Sequence, residues 1–312
     1  MTIRPRRLSA LPRIGPAVVT MGVFDGVHAG HRHLLEATLG AARRLAAASV
    51  ALVFEPHPDE VLHPGTTLPR LAPLAENLRR IRAAGIGHAV PIRFDDDLRA
   101  LSAEEFVAGL GPRIQLRGVV MTPSSAFGRG RGGTPARLRE IGTAAGFDVI
   151  EVEPLLIDGE PVSSSRLRAA LASGDLPGLR RMGGIPYLEG TVVHGDGRGR
   201  ALGVPTANLR FSYAALLPPH GVWAARVQIV GIDQARDWPA LVSIGTRPTT
   251  HRAGRVVVEA HLLDRSDDLY GARLGVELVA FLREQRRFGS EAELVDQMVD
   301  DLRVGRGVLE RA

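Results

Sequence analysis

The sequence predicts an α/β domain on a parallel sheet, followed by a small antiparallel β-barrel and a C-terminal helix. Apolar, β-branched runs alternate with helical patterns as far as about residue 180, which is the pattern of successive strand–helix–strand units. From Tyr187 onward the β runs are short and separated by turns, with no helix between them, as in a closed antiparallel sheet. The last stretch, residues 291–309, spaces Leu294, Met298, Val299 and Leu302 along one helical face. A chain of 312 residues can bury two separate cores, and the expected domains are 1–185 and 186–312.

Composition narrows the chemistry. No apolar run approaches the length of a membrane span. The N-terminal Met-Thr-Ile-Arg-Pro-Arg-Arg lacks the apolar stretch of a secretory signal. There is no cysteine, which excludes disulfides, thiolate nucleophiles and Cys-bound zinc, and fits a cytoplasmic setting. There is no lysine either: all 39 positions counted as Lys or Arg are Arg. A Walker A loop, a protein-kinase lysine and a Schiff-base lysine are therefore excluded. Any phosphate must be met by arginine, histidine, backbone N–H groups or metal. The net charge is +5 with acids interspersed, and no basic block is interleaved with aromatics. Small molecules rather than nucleic acid or membrane are the expected partners.

The first element is an apolar strand over 17–21, then Gly22-Val-Phe-Asp-Gly-Val-His-Ala-Gly-His31, then a helix over about 31–46. His28 and His31 fall three apart at the helix entry and share a face. Unpaired N–H groups, the helix dipole and close glycines make that turn a place for phosphate, and imidazoles there can stabilise charge on a leaving pyrophosphate. Capping is the other reading of the same pair. A second parallel strand, 49–54, ends in Glu55-Pro-His-Pro58, a rigid loop at a strand's carboxyl edge that is either a plain strand terminator or the border of a ligand site. A helix over 74–84 and a strand over 87–94 follow. Asp95-Asp-Asp97 reads as helix-start acids rather than metal ligands. Ser102 to Glu105 spells a capping box.

Next come a strand over 117–121, the Phe127-Gly-Arg-Gly-Arg-Gly-Gly-Thr134 loop, a helix over 137–145 and a strand over 147–152. The loop is either a phosphate clamp or a mobile connection. Pro161-Val-Ser-Ser-Ser-Arg-Leu-Arg168 opens a further helix. Its serines can cap the helix or bind phosphate, with Arg166 and Arg168 as charged donors. In the barrel, His194-Gly-Asp-Gly-Arg-Gly-Arg-Ala-Leu-Gly-Val-Pro-Thr-Ala-Asn208 is a glycine-rich loop. Its N–H groups can turn inward on phosphate, and Arg198 and Arg200 can neutralise charge. Thr206 and Asn208 can both offer oxygen to a hard cation such as Mg²⁺. On the strand near 256–261, Glu259 shares a face with Val257 and His261. It is either a partly desolvated base or an exposed surface acid.

These strings carry a resemblance. His28-Ala-Gly-His31 resembles the HxGH signature of nucleotidylyltransferases, and Thr20-Met-Gly-Val-Phe-Asp-Gly-Val-His-Ala-Gly-His31 is similar to the opening of bacterial bifunctional riboflavin kinase/FAD synthetases. The Ser163-Ser-Ser-Arg-Leu-Arg168 segment resembles the second signature of the same enzymes. The glycine-rich loop with Pro205-Thr-Ala-Asn208, Val242-Ser-Ile-Gly-Thr-Arg-Pro-Thr249, Val258-Glu-Ala-His-Leu-Leu-Asp264 and Asp268-Leu-Tyr-Gly271 resembles the riboflavin kinase module.

The resemblance implies a Rossmann-like nucleotidylyltransferase domain ahead of a riboflavin kinase barrel. Riboflavin would be phosphorylated with MgATP to FMN, and FMN adenylylated with ATP to FAD and pyrophosphate. It implies His28 and His31 as catalytic, and Gly22, Phe24, Ser164, Ser165 and Arg168 around the first nucleotide. In the barrel it implies Gly195, Gly197, Arg198 and Gly199 around phosphates, Thr206 and Asn208 on Mg²⁺ and ATP, and Glu259 as base. One segment departs from the family pattern: Thr122-Pro-Ser-Ser125 lacks the expected aromatic and carries Ser124 for an acid or amide. The alternative it motivates is a riboflavin kinase with a weakened or non-catalytic N-terminal nucleotide-binding domain.

Overall fold

A computed structural model of the chain describes residues 3–195, 204–232, 237–246, 256–265 and 268–312. It divides into two compact units. The first comprises the chain up to Leu68, Pro73–Ser164 and Met182–Gly184; the second takes Pro69–Ala72, Ser165–Arg181 and the chain from Ile185.

The first unit holds β1 (Gly15–Gly22), α1 (Ala29–Arg44), β2 (Ala48–Glu55), α2 (Pro58–Leu62), α3 (Leu74–Ala83), β3 (His88–Arg93), α4 (Asp96–Ala100), α5 (Ala103–Leu110), β4 (Ile114–Met121), α6 (Pro135–Ala145) and β5 (Asp148–Glu151). A two-stranded ribbon of β6 (Leu156–Ile157) and β7 (Glu160–Pro161) follows. The five main strands pair in parallel, in the order β3-β2-β1-β4-β5. Their near-continuous apolar runs are explained by burial on both faces. Val19, Leu52 and Ile92 pack with Leu11, Phe106 and Leu110 on one side, and Ala51 and Val53 pack with Leu35, Leu78 and Ile81 on the other.

Several local signals act as read. Ser102 and Glu105 form both halves of their capping box, and Asp95 Oδ1 accepts from the Leu98 N–H at 3.1 Å, so the acids there start a helix. The Pro-His-Pro stretch does more than end its strand. His57 caps α2, Pro58 fills the first position, which needs no N–H, and the Glu60 carboxylate reaches back to the His57 amide.

The second unit contains α7 (Ser164–Ser173) from its second residue, α8 (Leu176–Arg181), and strands β8 (Tyr187–Val193), β9 (Ala207–Arg210), β10 (Gly221–Ile229), β11 (Trp238–Thr246), β12 (Val256–Leu262) and β13 (Arg273–Arg283), then α9 (Glu291–Arg311). The strands close into an antiparallel barrel, β10-β11-β12-β9-β8-β13. Strand β9 is an addition to the sequence reading. Four residues after a proline leave too short an alternation to see, and the strand exists because it bridges β8 and β12. Pairing registers Trp223 with Val242, Val242 with Ala260, and Val258 with Leu209, and all are buried, so these rows fill the interior.

Helix α9 covers the outside of the barrel. Leu309 packs with Ala224, Leu241 and Leu263, and partly buried Leu302 joins them. A glycine at 305 allows the approach, since a Cβ there would stand 2.3 Å from the Leu241 side chain. The helix is locked by Asp301, 7% exposed, which accepts from Arg283 through both oxygens at 2.6–3.1 Å and from Gln297 at 2.8 Å. Removing one partner of such a pair strands the other. Asp301→Ala is expected to destabilise the barrel by about 2–3 kcal/mol, read as a lower denaturation midpoint.

Candidate functional site

Chain order reverses between β1 and β4, so the crevice beyond their carboxyl ends is the site this sheet topology offers. The Phe24–Val27 turn leads from β1 to α1 there. His28 is the N-cap of α1: its Nδ1 accepts from the His31 N–H at 3.3 Å, while the Ala29 N–H donates to the Met182 carbonyl at 3.0 Å. Of the two readings the sequence leaves open, capping is the one these contacts show for His28.

The structure brings His28 and His31 together. Their rings stack with centroids 3.7 Å apart and planes 19° from parallel. Phe24, buried, lies with its ring 3.5 Å from where a Gly22 Cβ would be and 5.1 Å from the His31 ring. Gly30 is required beneath this stack, because a Cβ would meet the Val162 carbonyl at 2.9 Å and the His28 ring at 3.3 Å. Burial above all, with the charges of His28 and Arg32, pushes the His31 pKa well below its ordinary value. Its Nδ1 is buried and has no hydrogen-bond partner among the described residues, a polar atom left for something that is not protein.

Ser164 joins the same turn, its hydroxyl donating to the Asp25 carbonyl at 3.0 Å. Ser165, the next residue, and Arg168, about one turn further along α7, hydrogen-bond each other at 3.3 Å and belong to the second unit. After β4, Thr122 and Ser125 close on each other through hydroxyls 2.7 Å apart. The following loop is pinned: the Arg129 N–H donates to the Leu101 carbonyl at 2.7 Å, and Phe127 packs on Phe106 at 5.0 Å.

In the barrel, register makes a row on the outer face. Ser243 pairs with Glu259, Glu259 with Asn208, and Asn208 with Val193. Directly opposed residues have Cβ atoms about 4.5–5.5 Å apart, so Glu259 stands between a hydroxyl and an amide and is half-buried. Gly195 is needed under Asn208, since a Cβ would sit 2.2 Å from its amide nitrogen. His261, next on the Glu259 face, has Nδ1 2.7 Å from the Pro205 carbonyl. A carbonyl only accepts, so Nδ1 carries the proton and holds the turn that presents half-buried Thr206. Gly197, Arg198 and Gly199 lie outside the described residues.

Residues 12–166 match the family model described as FAD synthetase, and residues 182–309 match that described as riboflavin kinase. A relative from Escherichia coli (strain K12), the bifunctional riboflavin kinase/FMN adenylyltransferase, is 36% identical over 94% of this chain and 93% of its own length. The chain belongs to the bifunctional riboflavin kinase/FMN adenylyltransferase family. A family member from Bacillus subtilis (strain 168) is 28% identical over 91% of this chain and 90% of its own. A crystal structure titled as a macrolide-efflux protein from Streptococcus pneumoniae superposes with a TM-score of 0.84 at 28% identity, covering 96% of this chain and 97% of that one. No helix among the described residues is long and apolar enough to cross a membrane.

Some residues that shape the first site of this family member carry no signal in the sequence. Glu76, Asn77 and Arg80 read only as the polar part of an amphipathic helix, and Arg32 as a helix-surface arginine. Arg32 in fact donates to the carbonyls of Val27 and Gly183 at 2.9 and 3.0 Å. The buried imidazole has a thermodynamic consequence. Unfolded, His31 takes up a proton near pH 6.5; folded, it resists until lower pH. The unfolded state then binds more protons across that window, so stability is full above about pH 6.5 and falls on acidification below it, by at most ~1.4 kcal/mol per pH unit. Urea unfolding at pH 7.5 and 5.5 is expected to show this loss, and His31→Leu is expected to reduce it.

Proposed function

We propose that the chain carries out two successive steps of flavin cofactor synthesis. Residues 186–312 phosphorylate riboflavin with MgATP, giving FMN and ADP. Residues 1–185 join FMN to the AMP portion of a second ATP, giving FAD and pyrophosphate. The observation that carries the reading is the pair of family matches, side by side in one chain. The stacked histidines at a sheet switch point and the Ser243–Glu259–Asn208 row add support from chemistry. A cytoplasmic location and the absence of nucleic-acid partners belong to the same reading.

In the kinase step, the Glu259 carboxylate takes the proton of the ribityl 5′-hydroxyl as its oxygen attacks the γ-phosphorus of ATP; ADP leaves. Asn208 and Thr206 offer neutral oxygens beside that carboxylate, a donor set suited to a hard cation. Mg²⁺, when bound there, supplies charge neutralisation at the transferring phosphoryl group. Gly195, Gly197, Arg198 and Gly199 gather round the phosphates, with backbone amides and guanidinium in the place of lysine.

In the second step the FMN phosphate attacks the α-phosphorus of ATP and the α–β bridging bond breaks, releasing pyrophosphate. No side-chain nucleophile is needed, so the protein's part is orientation and charge stabilisation. His28 and His31 meet the charge developing on pyrophosphate, Gly22 and Phe24 line the nucleotide, and Ser164, Ser165 and Arg168 hold the triphosphate. The self-closed Thr122–Ser125 turn is the one observation favouring a kinase-only protein, and the whole-length likeness to bifunctional relatives weighs more.

Chromatography after adding riboflavin and MgATP is expected to show FMN and then FAD; FMN alone would leave only the kinase. Glu259→Gln is expected to lower FMN formation by about 10²–10⁴-fold while FAD still forms from added FMN. His28→Ala with His31→Ala should produce the opposite pattern.

A further inference from the structure

The turn that delivers His28 is strained and is held from outside. Phe24, Gly26 and Val27 have φ of 53°, 79° and 45°. Glycine accepts left-handed backbone freely, whereas phenylalanine and β-branched valine meet a steric penalty. Such a conformation persists only where its surroundings over-determine it. Here α3, some fifty residues on in the chain, supplies two tethers to one residue: Asn77 Oδ1 accepts from the Gly26 N–H at 3.0 Å, and Arg80 donates to the Gly26 carbonyl at 3.0 Å. The two peptide groups on either side of Gly26 are thereby fixed.

Arg80 is itself seated. Its Nε donates to Glu76 Oε1 at 2.7 Å, and Arg79 grips both oxygens of the same carboxylate at 2.6 and 2.7 Å. Glu76, Asn77 and Arg80 are 6%, 5% and 8% exposed. Burial raises the Glu76 pKa, but hydrogen bonds and charge from Arg79 and Arg80 outweigh it and hold the carboxyl below its ordinary range. As an ion pair alone, Glu76 and Arg80 contribute little that apolar side chains of similar volume would not. What apolar side chains could not do is bond both polar groups of Gly26.

We propose that Asn77 and Arg80, seated on Glu76, are positioning residues for adenylyl transfer: they hold the Phe24–Val27 turn, and with it the stacked His28–His31 pair, in the geometry that receives the triphosphate. The proposal rests on the first-domain activity given above. It assigns a function to a buried ion pair that otherwise reads as packing.

The test uses the full chain, which carries its own control: FMN formation from riboflavin reports on the barrel, and FAD formation from added FMN on the first domain. Arg80→Met is expected to lower kcat for FAD formation by about 10–100-fold, with FMN formation unchanged within about twofold. Arg80→Lys, which keeps a donor for the Gly26 carbonyl, should recover part of it. The double variant Glu76→Gln with Arg80→Met removes the stranded carboxylate, so its melting temperature should return towards wild type while FAD formation does not. FAD formation at the wild-type rate in Arg80→Met, or recovered together with the melting temperature in the double variant, would overturn the proposal.

If Arg80→Met does not fold, Asn77→Ala decides, because it leaves the ion pair intact. A fall in FAD formation, measured well below the variant's melting temperature and with FMN formation unchanged, supports positioning, and no fall refutes it. Wild-type chain that makes FMN but no FAD would instead refute the first-domain activity, and the positioning role with it.

Discussion

The first unit depends on four residues of backbone, Phe24 to Val27, in which Phe24 and Val27 hold a left-handed conformation their side chains oppose. Three of the four are tied, each to a different element. Ser164 holds Asp25, α3 holds Gly26, and Arg32 of α1 holds Val27. The two tethers on Gly26 are buried hydrogen bonds, where an unmade bond costs more than a made one gains. This makes the turn a single defined shape, and that shape sets where the histidine stack begins. The parallel sheet matters to function chiefly because its strand order opens a crevice beside this turn.

The absence of lysine gives both units the same chemical problem. Without an ammonium group, phosphate charge falls to planar guanidinium forks, imidazoles and main-chain amides, which need positioning because their donors point in fixed directions. The two units position their polar groups on different scaffolds. One uses a helix N-terminus capped by an imidazole. The other uses strand register, which lines up Ser243, Glu259 and Asn208 across three neighbouring strands.

Glycine serves both scaffolds by subtraction. Gly30 and Gly195 are each crowded by a neighbouring side chain, His28 and Asn208. At these positions a methyl group would occupy the space that side chain fills, which is a different reason for glycine from the left-handed backbone at Gly26.

Much of this was legible in the residues alone. The alternation of apolar runs with helical patterns, giving way to short β runs separated by turns, set the parallel domain apart from the barrel. The capping box at Ser102 and the acids before α4 were equally local, and local signals survive folding. Strand β9 was not legible, since its four residues are a strand only by virtue of the neighbours on each side. Nor were Asn77 and Arg80, whose partner Gly26 lies some fifty residues away. The sequence by itself determined the element types, the order of the two domains and the lysine-free chemistry, because these follow from spacing and composition. Only the tertiary structure decided which polar side chains face the Gly26 turn and that Glu259 stands opposite Asn208, because both depend on contacts between segments far apart in the chain.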